Sequence, residues 1–279
     1  MEYSTKMKIV IKVGGALFAQ GIEPLVEDLK DVSKNNQVVI VHGGGPQITD
    51  VGEKMGREAK HYKTPKGMKT RYTDSGQIEN IKMAIGGQVN KNIVEMLRKV
   101  GVNAFGFTGL DGAVVTAKRK KKIMVINERG RRQILRGEYS GKPQEVDSKI
   151  LNFLLENDYV PIIGSMCVSK EGDALNVDGD RVAVAVADAI HADKFVSLTD
   201  VEGIFKNMES KEIISALTLV EAESLLKGDT VKGGMKKKVY AAVQALKGNV
   251  KEFVIYSGQA EHPLTDILRE SKGTRIKKE

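Results

Sequence analysis

The chain has 279 residues, 41% of them hydrophobic, and its 44 Lys and Arg exceed its 36 Asp and Glu to give a net charge of +8. That apolar share is enough to bury a core, which excludes a disordered chain and fits one large domain or two lobes. A single cysteine excludes an internal disulfide, the four histidines are too scattered for a compact zinc motif, and no apolar run approaches the roughly 20 residues that span a bilayer.

The start, Met1 to Lys8, is polar and lacks a signal-peptide apolar region, so a cytoplasmic protein with no membrane partner is expected. Lys8 to Val13 and Gln37 to His42 are short β-branched runs that each end in glycines, with a helical pattern from Pro24 to about Lys34 between them. This predicts a β-α-β unit. Pro46 suits the first turn of a helix running towards Arg57, where its missing N–H costs nothing. Thr73 to Val100 predicts one long helix, interrupted near Gly86-Gly87. From Asn103 to Arg136 the pattern becomes short strands (Ala104 to Phe107, Ala113 to Ala117, Ile123 to Ile126, Arg131 to Leu135), which predict hairpins inserted into the α/β frame.

Asp147 is placed to cap a helix through Glu156, and Tyr159 to Gly164 reads as a buried strand. Helices are then predicted over Val177 to His191, Thr218 to Lys227 and Gly233 to Lys247, with strands at Lys194 to Leu198 and Glu252 to Tyr256. The fold class is α/β, a three-layer αβα sandwich with a mainly parallel central sheet and β-hairpin insertions in the N-terminal lobe. No linker composition or repeat divides the chain. Residues 1–279 therefore read as one domain, with lobes of approximately 7–172 and 173–279 meeting near Gly172.

The positive charge is local. Arg57 to Arg71 carries +5 and Lys118 to Lys142 carries +8, so the remainder nets −5. The run Lys118 to Lys122 reads either as a solvated hairpin tip or as a surface for an anionic partner. Aromatics are only 5%, and no RNP-type motif, zinc finger or recognition helix accompanies the charge, so nucleic acid is not the expected partner. An acidic protein or anionic substrate fits.

Three glycine-rich turns stand out: Lys12-Val-Gly14-Gly15, His42-Gly-Gly44-Gly45-Pro46 and Lys232-Gly-Gly234-Met-Lys-Lys-Lys238. Glycines between a strand and a helix let backbone N–H groups approach a phosphate or carboxylate, although each cluster alone also fits a plain tight turn. No G-x-x-x-x-G-K-[ST] exists, and Gly137-Glu-Tyr-Ser-Gly141-Lys142 has the wrong spacing, which excludes a P-loop. No G-x-G-x-x-G follows the first strand, which demotes nicotinamide chemistry. Lys12, inside an apolar strand, reads as a snorkelling edge lysine or as a cation held over a phosphate.

Taken in order with Arg71-Tyr-Thr-Asp, Asn176-Val-Asp-Gly-Asp180 and Thr199-Asp200-Val-Glu-Gly203, these turns resemble the amino-acid kinase family across nearly the whole chain. Within it the sequence resembles the N-acetylglutamate kinase branch. Arg71-Tyr-Thr-Asp and Tyr139-Ser-Gly-Lys142 bring it closer to the archaeal-type kinases that phosphorylate 2-aminoadipate or glutamate attached to an acidic amino-group carrier protein. The resemblance implies ATP-dependent formation of an acyl phosphate in lysine or arginine biosynthesis. Lys12 and Lys238 are then the implied transition-state stabilisers and Asp180 their organiser, although an aspartate in a first helical turn also suits the helix dipole. Gly44, Gly45, Arg71 and Asn176 are the implied acceptor contacts. Gly14, Gly15, Thr199, Asp200, Gly203 and Gly234 form the implied nucleotide pocket. Magnesium is expected on the ATP phosphates with no protein ligand named. Lys63, Lys66, Lys69, Arg119, Lys120 and Lys121 are the expected docking charges for the acidic carrier, and Thr73 to Val100 is the element through which the family forms a homodimer. Plain N-acetylglutamate kinase, a nucleotide-binding regulator without turnover, and a basic nucleic-acid-binding module are the competing readings.

Overall fold

In the first two strands, Met7–Val13 and Asn36–His42, side chains alternate across the pleat and both faces are apolar, the pattern of a parallel strand covered on each side. Ile9, Ile11 and Val13 join Val38 and Ile40 in one core, while Val10 joins Val39 and Val41 in another. These strands are the centre of an eight-stranded sheet in the computed structural model, which describes residues 6–65, 67, 69–207, 212–228 and 230–279. From one edge the strand order is Ala216–Thr218, Thr274–Lys277, Glu252–Ser257, Lys194–Thr199, Met7–Val13, Asn36–His42, Val160–Gly164 and Ala104–Thr108. Pairing is parallel throughout except between Glu252–Ser257 and Thr274–Lys277.

The two cores lie on opposite faces and give the three layers. Helices Ser148–Glu156, Gly179–Ala189 and Gly233–Lys247 cover one face, where Phe195 and Phe253 stack with centroids 4.5 Å apart. Helices Glu23–Asn35, Asn90–Lys99 and Pro263–Arg269 cover the other. Gly233–Lys247 matches its predicted bounds, and Asp147 caps Ser148–Glu156 as expected. Thr218 closes a capping box with Glu221, so it stands outside the helix Leu219–Lys227 instead of beginning it.

Two expectations need correction. The long helix starts at Ser75, capped by Asp74, and the break expected at Gly86-Gly87 is a stretch of wider π turns, Lys82–Val89, that runs straight into Asn90–Lys99. The inserted strands include one hairpin as expected, Lys122–Ile126 with Arg132–Arg136, but Val115–Arg119 does not pair with the strand that follows it. Val115–Arg119 pairs with Gly141–Val146 and with Met166–Val168, whereas Lys122–Ile126 pairs with Arg132–Arg136 and meets His61–Lys63. The chain crosses from one small sheet to another at Lys120-Lys121, so the basic run is a crossover and not a hairpin tip.

Candidate active site

Ligand-binding loops in an open α/β sheet gather at the carboxyl ends of the parallel strands. Here three strands end side by side, Val13 opposite His42 and His42 opposite Gly164. Lys12 lies one residue before the end of its strand, and its ammonium meets Asp180 Oδ1 at 2.9 Å. The two side chains keep only 10% and 15% of their surface exposed, so the pair is shielded from water. Asp180 is held in the first turn of Gly179–Ala189 by Asp178, whose carboxylate accepts the Asp180 and Arg181 N–H groups.

Lys238, in the second turn of Gly233–Lys247, donates to Ser197 Oγ at 3.4 Å. Ser197 is the strand neighbour of Lys12, so two lysines from opposite ends of the chain reach one spot beside Asp180. Burial first, and then Lys12, push the Lys238 ammonium down to about 8, while Asp180, Asp200 and Asp178 hold it up. Burial pushes the Asp180 carboxyl up, but Lys12 and Lys238 outweigh it and leave the group below its ordinary value, ionised at neutral pH. A buried Lys12 and a half-buried Lys238 thus both feel one carboxylate, which pairs directly with Lys12, and the arrangement calls for a further anion.

The glycine turns close around this point. A Cβ on Gly15 would stand 2.8 Å from the Gly45 nitrogen and 3.0 Å from Gly44 Cα, so the first two turns touch backbone to backbone. Gly15→Ala should therefore part the turns and lower kcat at least tenfold while the far-ultraviolet circular dichroism spectrum stays native. Steady-state kinetics beside that spectrum checks it, and unchanged kcat would mean the contact is dispensable. Gly44 meets side chains instead of backbone, Ile85 Cδ1 at 2.6 Å from its notional Cβ, whereas Gly234 has open space beside it.

His42, fully buried, sets the second turn. Its Nδ1–H donates to the Gly43 carbonyl at 2.9 Å, and its Nε2 accepts from Asn90 Nδ2 at 3.0 Å, so the two contacts select one neutral tautomer. Burial pushes the ring down to about 4. Asn90 also bonds the Phe107 and Ile162 carbonyls, tying the turn to two neighbouring strands.

Arg71 reaches the same turn from the side. Its Nη2 donates to the Gly45 carbonyl at 3.0 Å and to Thr49 Oγ1 at 2.9 Å, while Nη1 is buried with no partner among the described residues. A carboxylate would complete that fork. Asn176 Nδ2 donates to Thr73 Oγ1 at 2.9 Å, two residues from Arg71. On the other side, Thr199 donates to Asp200 at 2.9 Å at the end of Lys194–Thr199. Gly203 is packed against the strand beyond, its notional Cβ 2.7 Å from Thr274 Oγ1, which gives this glycine a packing role of its own.

The six docking candidates divide. Lys63 and Lys121 are exposed, Lys66 lies outside the described residues, and Lys69 enters only as backbone paired with Lys63. Arg119 is occupied: Nη1 bonds Asp173 at 2.7 Å, Nε bonds the Glu138 carbonyl at 2.8 Å, and the guanidinium lies 3.6 Å from the Tyr139 ring centre. Burial, and then Arg181, push the Lys120 ammonium down, against Glu138 and Asp178, so Lys120 stands close to the site. Sequence reasoning missed Ser197, Asn90 and Glu138, which carry no motif, and assigned His42 no role.

A fold of this kind with paired lysines and glycine turns at the strand ends defines a phosphotransferase. Residues 7–257 match the amino acid kinase family, and the chain belongs to that family, whose activity here is phosphoryl transfer to a carboxyl group. Among its relatives, a protein of Nitrosopumilus maritimus, "Putative [LysW]-aminoadipate/[LysW]-glutamate kinase", is 38% identical over 97% of this chain and 100% of its own length. The "[LysW]-aminoadipate/[LysW]-glutamate kinase" of Sulfolobus acidocaldarius is 36% identical over 96% of this chain and 99% of its own. In fold, the chain resembles N-acetylglutamate synthase from Neisseria gonorrhoeae, with a TM-score of 0.79 at 24% identity over 98% of this chain and 60% of that one. Giardia carbamate kinase superposes with a TM-score of 0.69 at 18% identity over 99% of this chain and 100% of its own.

Proposed function

We propose that this enzyme transfers the γ-phosphoryl group of ATP to the side-chain carboxylate of glutamate or 2-aminoadipate carried on a LysW-type protein, giving an acyl phosphate for arginine or lysine biosynthesis. The observation that carries this reading is the meeting of Lys12 and Lys238 at Asp180, with the half-satisfied Arg71 fork across the Gly44-Gly45 turn. The names of the relatives support the carrier-bound acceptor.

The acceptor carboxylate, with an ordinary pKa of about 4.3, is ionised at neutral pH and needs no general base. What the site must supply is alignment of two anions and relief of charge on the transferring group. In this reading Lys12 and Lys238 flank that group, Asp180 keeps both ammonium groups aimed, and the Gly44 and Gly45 N–H groups line the acceptor side. Arg71 holds a second carboxylate of the acceptor with its free arm, and Asn176 helps shape its pocket. Gly14, Gly15, Thr199, Asp200, Gly203 and Gly234 border the nucleotide. Two ammonium groups and open N–H donors suit a polyanion. Magnesium carried on the ATP phosphates would supply further charge neutralisation beside Lys12 and Lys238.

Lys63, Lys120 and Lys121, with Lys66 and Lys69, are the proposed docking charges for the carrier, and Arg119 belongs with them only through the segment it braces. No helix among the described residues is long and apolar enough to cross a membrane, and the reading places the enzyme in the cytoplasm. A homodimer through the helix from Ser75 to Lys99 is part of the proposal. Its support is the neighbouring edge strand Ala104–Thr108, where Phe105 is exposed.

Phosphorylation rates with glutamate or aminoadipate attached to LysW, set beside free N-acetylglutamate, test the reading. The carrier conjugates should be turned over at least 100-fold more efficiently in kcat/KM. Efficient turnover of the free compound with no gain from the carrier would make the enzyme a plain N-acetylglutamate kinase.

A further inference from the structure

Glu138 is fully buried, and no Lys, Arg or His among the described residues forms an ion pair with it. Its carboxylate instead accepts backbone N–H groups from two separate segments. Oε1 takes the Ser140 N–H at 3.1 Å and the Thr73 N–H at 3.3 Å, and Oε2 shares the latter at 3.4 Å. The segments joined are Arg71-Tyr72-Thr73-Asp74 and Tyr139-Ser140-Gly141-Lys142, which are 65 residues apart at the Thr73–Glu138 contact.

Asn176 and the segment that carries Arg71 are bonded to this junction. The Tyr139 N–H donates to the Thr73 carbonyl at 2.8 Å, the Asn176 N–H donates to the Tyr139 carbonyl at 2.8 Å, and Asn176 Nδ2 returns to Thr73 Oγ1 at 2.9 Å. The Tyr72 hydroxyl donates to the Arg136 carbonyl just before Glu138. From outside, Arg119 grips the Glu138 carbonyl and covers Tyr139, and the Lys120 N–H bonds the Ser140 carbonyl. Thr73 is itself fully buried, so it has no water to replace the Glu138 acceptor.

We infer that Glu138 is a positioning residue for the acceptor: by binding the Thr73 and Ser140 N–H groups it fixes the places of Arg71 and Asn176, and thereby the orientation in which the carboxylate acceptor is presented to the phosphoryl group. The nucleotide side shares none of these bonds. A carboxylate is suited to the task because one oxygen takes two N–H groups, which a hydroxyl at that distance from the backbone does not reach. The inference rests on the proposed acceptor, since the residues it positions are those assigned to that ligand.

The test is steady-state kinetics of the full-length enzyme with LysW-bound glutamate and ATP, for the wild type, Glu138→Gln, Glu138→Asp and Glu138→Leu. Gln retains an oxygen able to accept both N–H groups and should keep the acceptor KM within threefold. Asp, which falls short of both, and Leu, which accepts neither, should raise the acceptor KM at least tenfold while the KM for ATP stays within twofold. If Leu fails to fold, the Asp and Gln pair decides the matter. Equal rises in both KM values would reduce Glu138 to a general fold contact, and an unchanged acceptor KM in the Asp variant would overturn the proposal outright. An inactive wild type would instead defeat the acceptor reading beneath it, and the inference with it.

Discussion

Lys238→Ala is expected to lower kcat about 10²–10³-fold, the usual cost of deleting one donor aimed at developing charge. The residue is exposed enough to the cleft to act there, yet buried enough that burial and Lys12 bring its ammonium down to about 8. The sign of the pH effect follows. The charged form of a lysine exists below its pKa, so kcat/KM for ATP in the wild type should fall as pH rises through about 8. Lys238→Arg keeps its charge well beyond that range. Its pH profile should therefore lose the alkaline limb even if its absolute rate is lower. A profile measured from pH 6 to 10 checks both, and an Arg variant with the wild-type limb would show that some other group titrates there.

Asp180→Asn carries the second large effect, because it leaves two neighbouring ammonium groups without their common carboxylate. Removing one partner of a buried pair costs about 3–5 kcal/mol, and Lys12 and Asp180 are both largely shielded. Denaturant titration at pH 7 should show a loss of that order. The folded Asp180 carboxyl is held below its ordinary value of 3.8. Its stabilisation is thus complete above that value and lost as pH falls through and below it, so the gap between wild type and variant should narrow in acid. Catalysis should suffer too. With Asp180 gone, nothing as close holds the Lys238 proton, and the alkaline limb of the rate profile should move below 8. A variant as stable as the wild type at pH 7 would show that Asp180 only decorates the helix terminus.

How much of this could be read in the residues depended on range. Gly233–Lys247 and the cap at Asp147 obey local rules, glycine before a helical run and aspartate before an apolar one, and both stand where those rules put them. The crossover at Lys120-Lys121 defeated the same approach, because strands adjacent in sequence suggest a hairpin and only tertiary pairing sends them to different sheets. The antiparallel strand Thr274–Lys277 was invisible for a similar reason, since nothing local says that it reverses beside Glu252–Ser257.

The site divides along the same line. Lys12 and the glycines were conspicuous because a charge or a run of glycines is odd at the end of an apolar strand. Ser197 is one hydroxyl in an apolar strand, and its meaning appears only when register sets it beside Lys12. His42 and Asn90 are separated by 48 residues and reveal themselves only as a buried pair. Glu138 was hidden by its surroundings in sequence: it is one acidic residue inside a strongly basic window, while in three dimensions it bonds backbone N–H groups and no cation at ion-pair distance among the described residues.

The most direct measurement is trapping of the product with hydroxylamine, which converts an acyl phosphate into a stable hydroxamate. The wild type with ATP and LysW-bound glutamate should yield one hydroxamate per ADP formed, and the Lys12→Met, Lys238→Met double variant should yield none above background while still folding. Hydroxamate formed by the double variant at the wild-type rate would contradict the claim that these two lysines stabilise the group in transit.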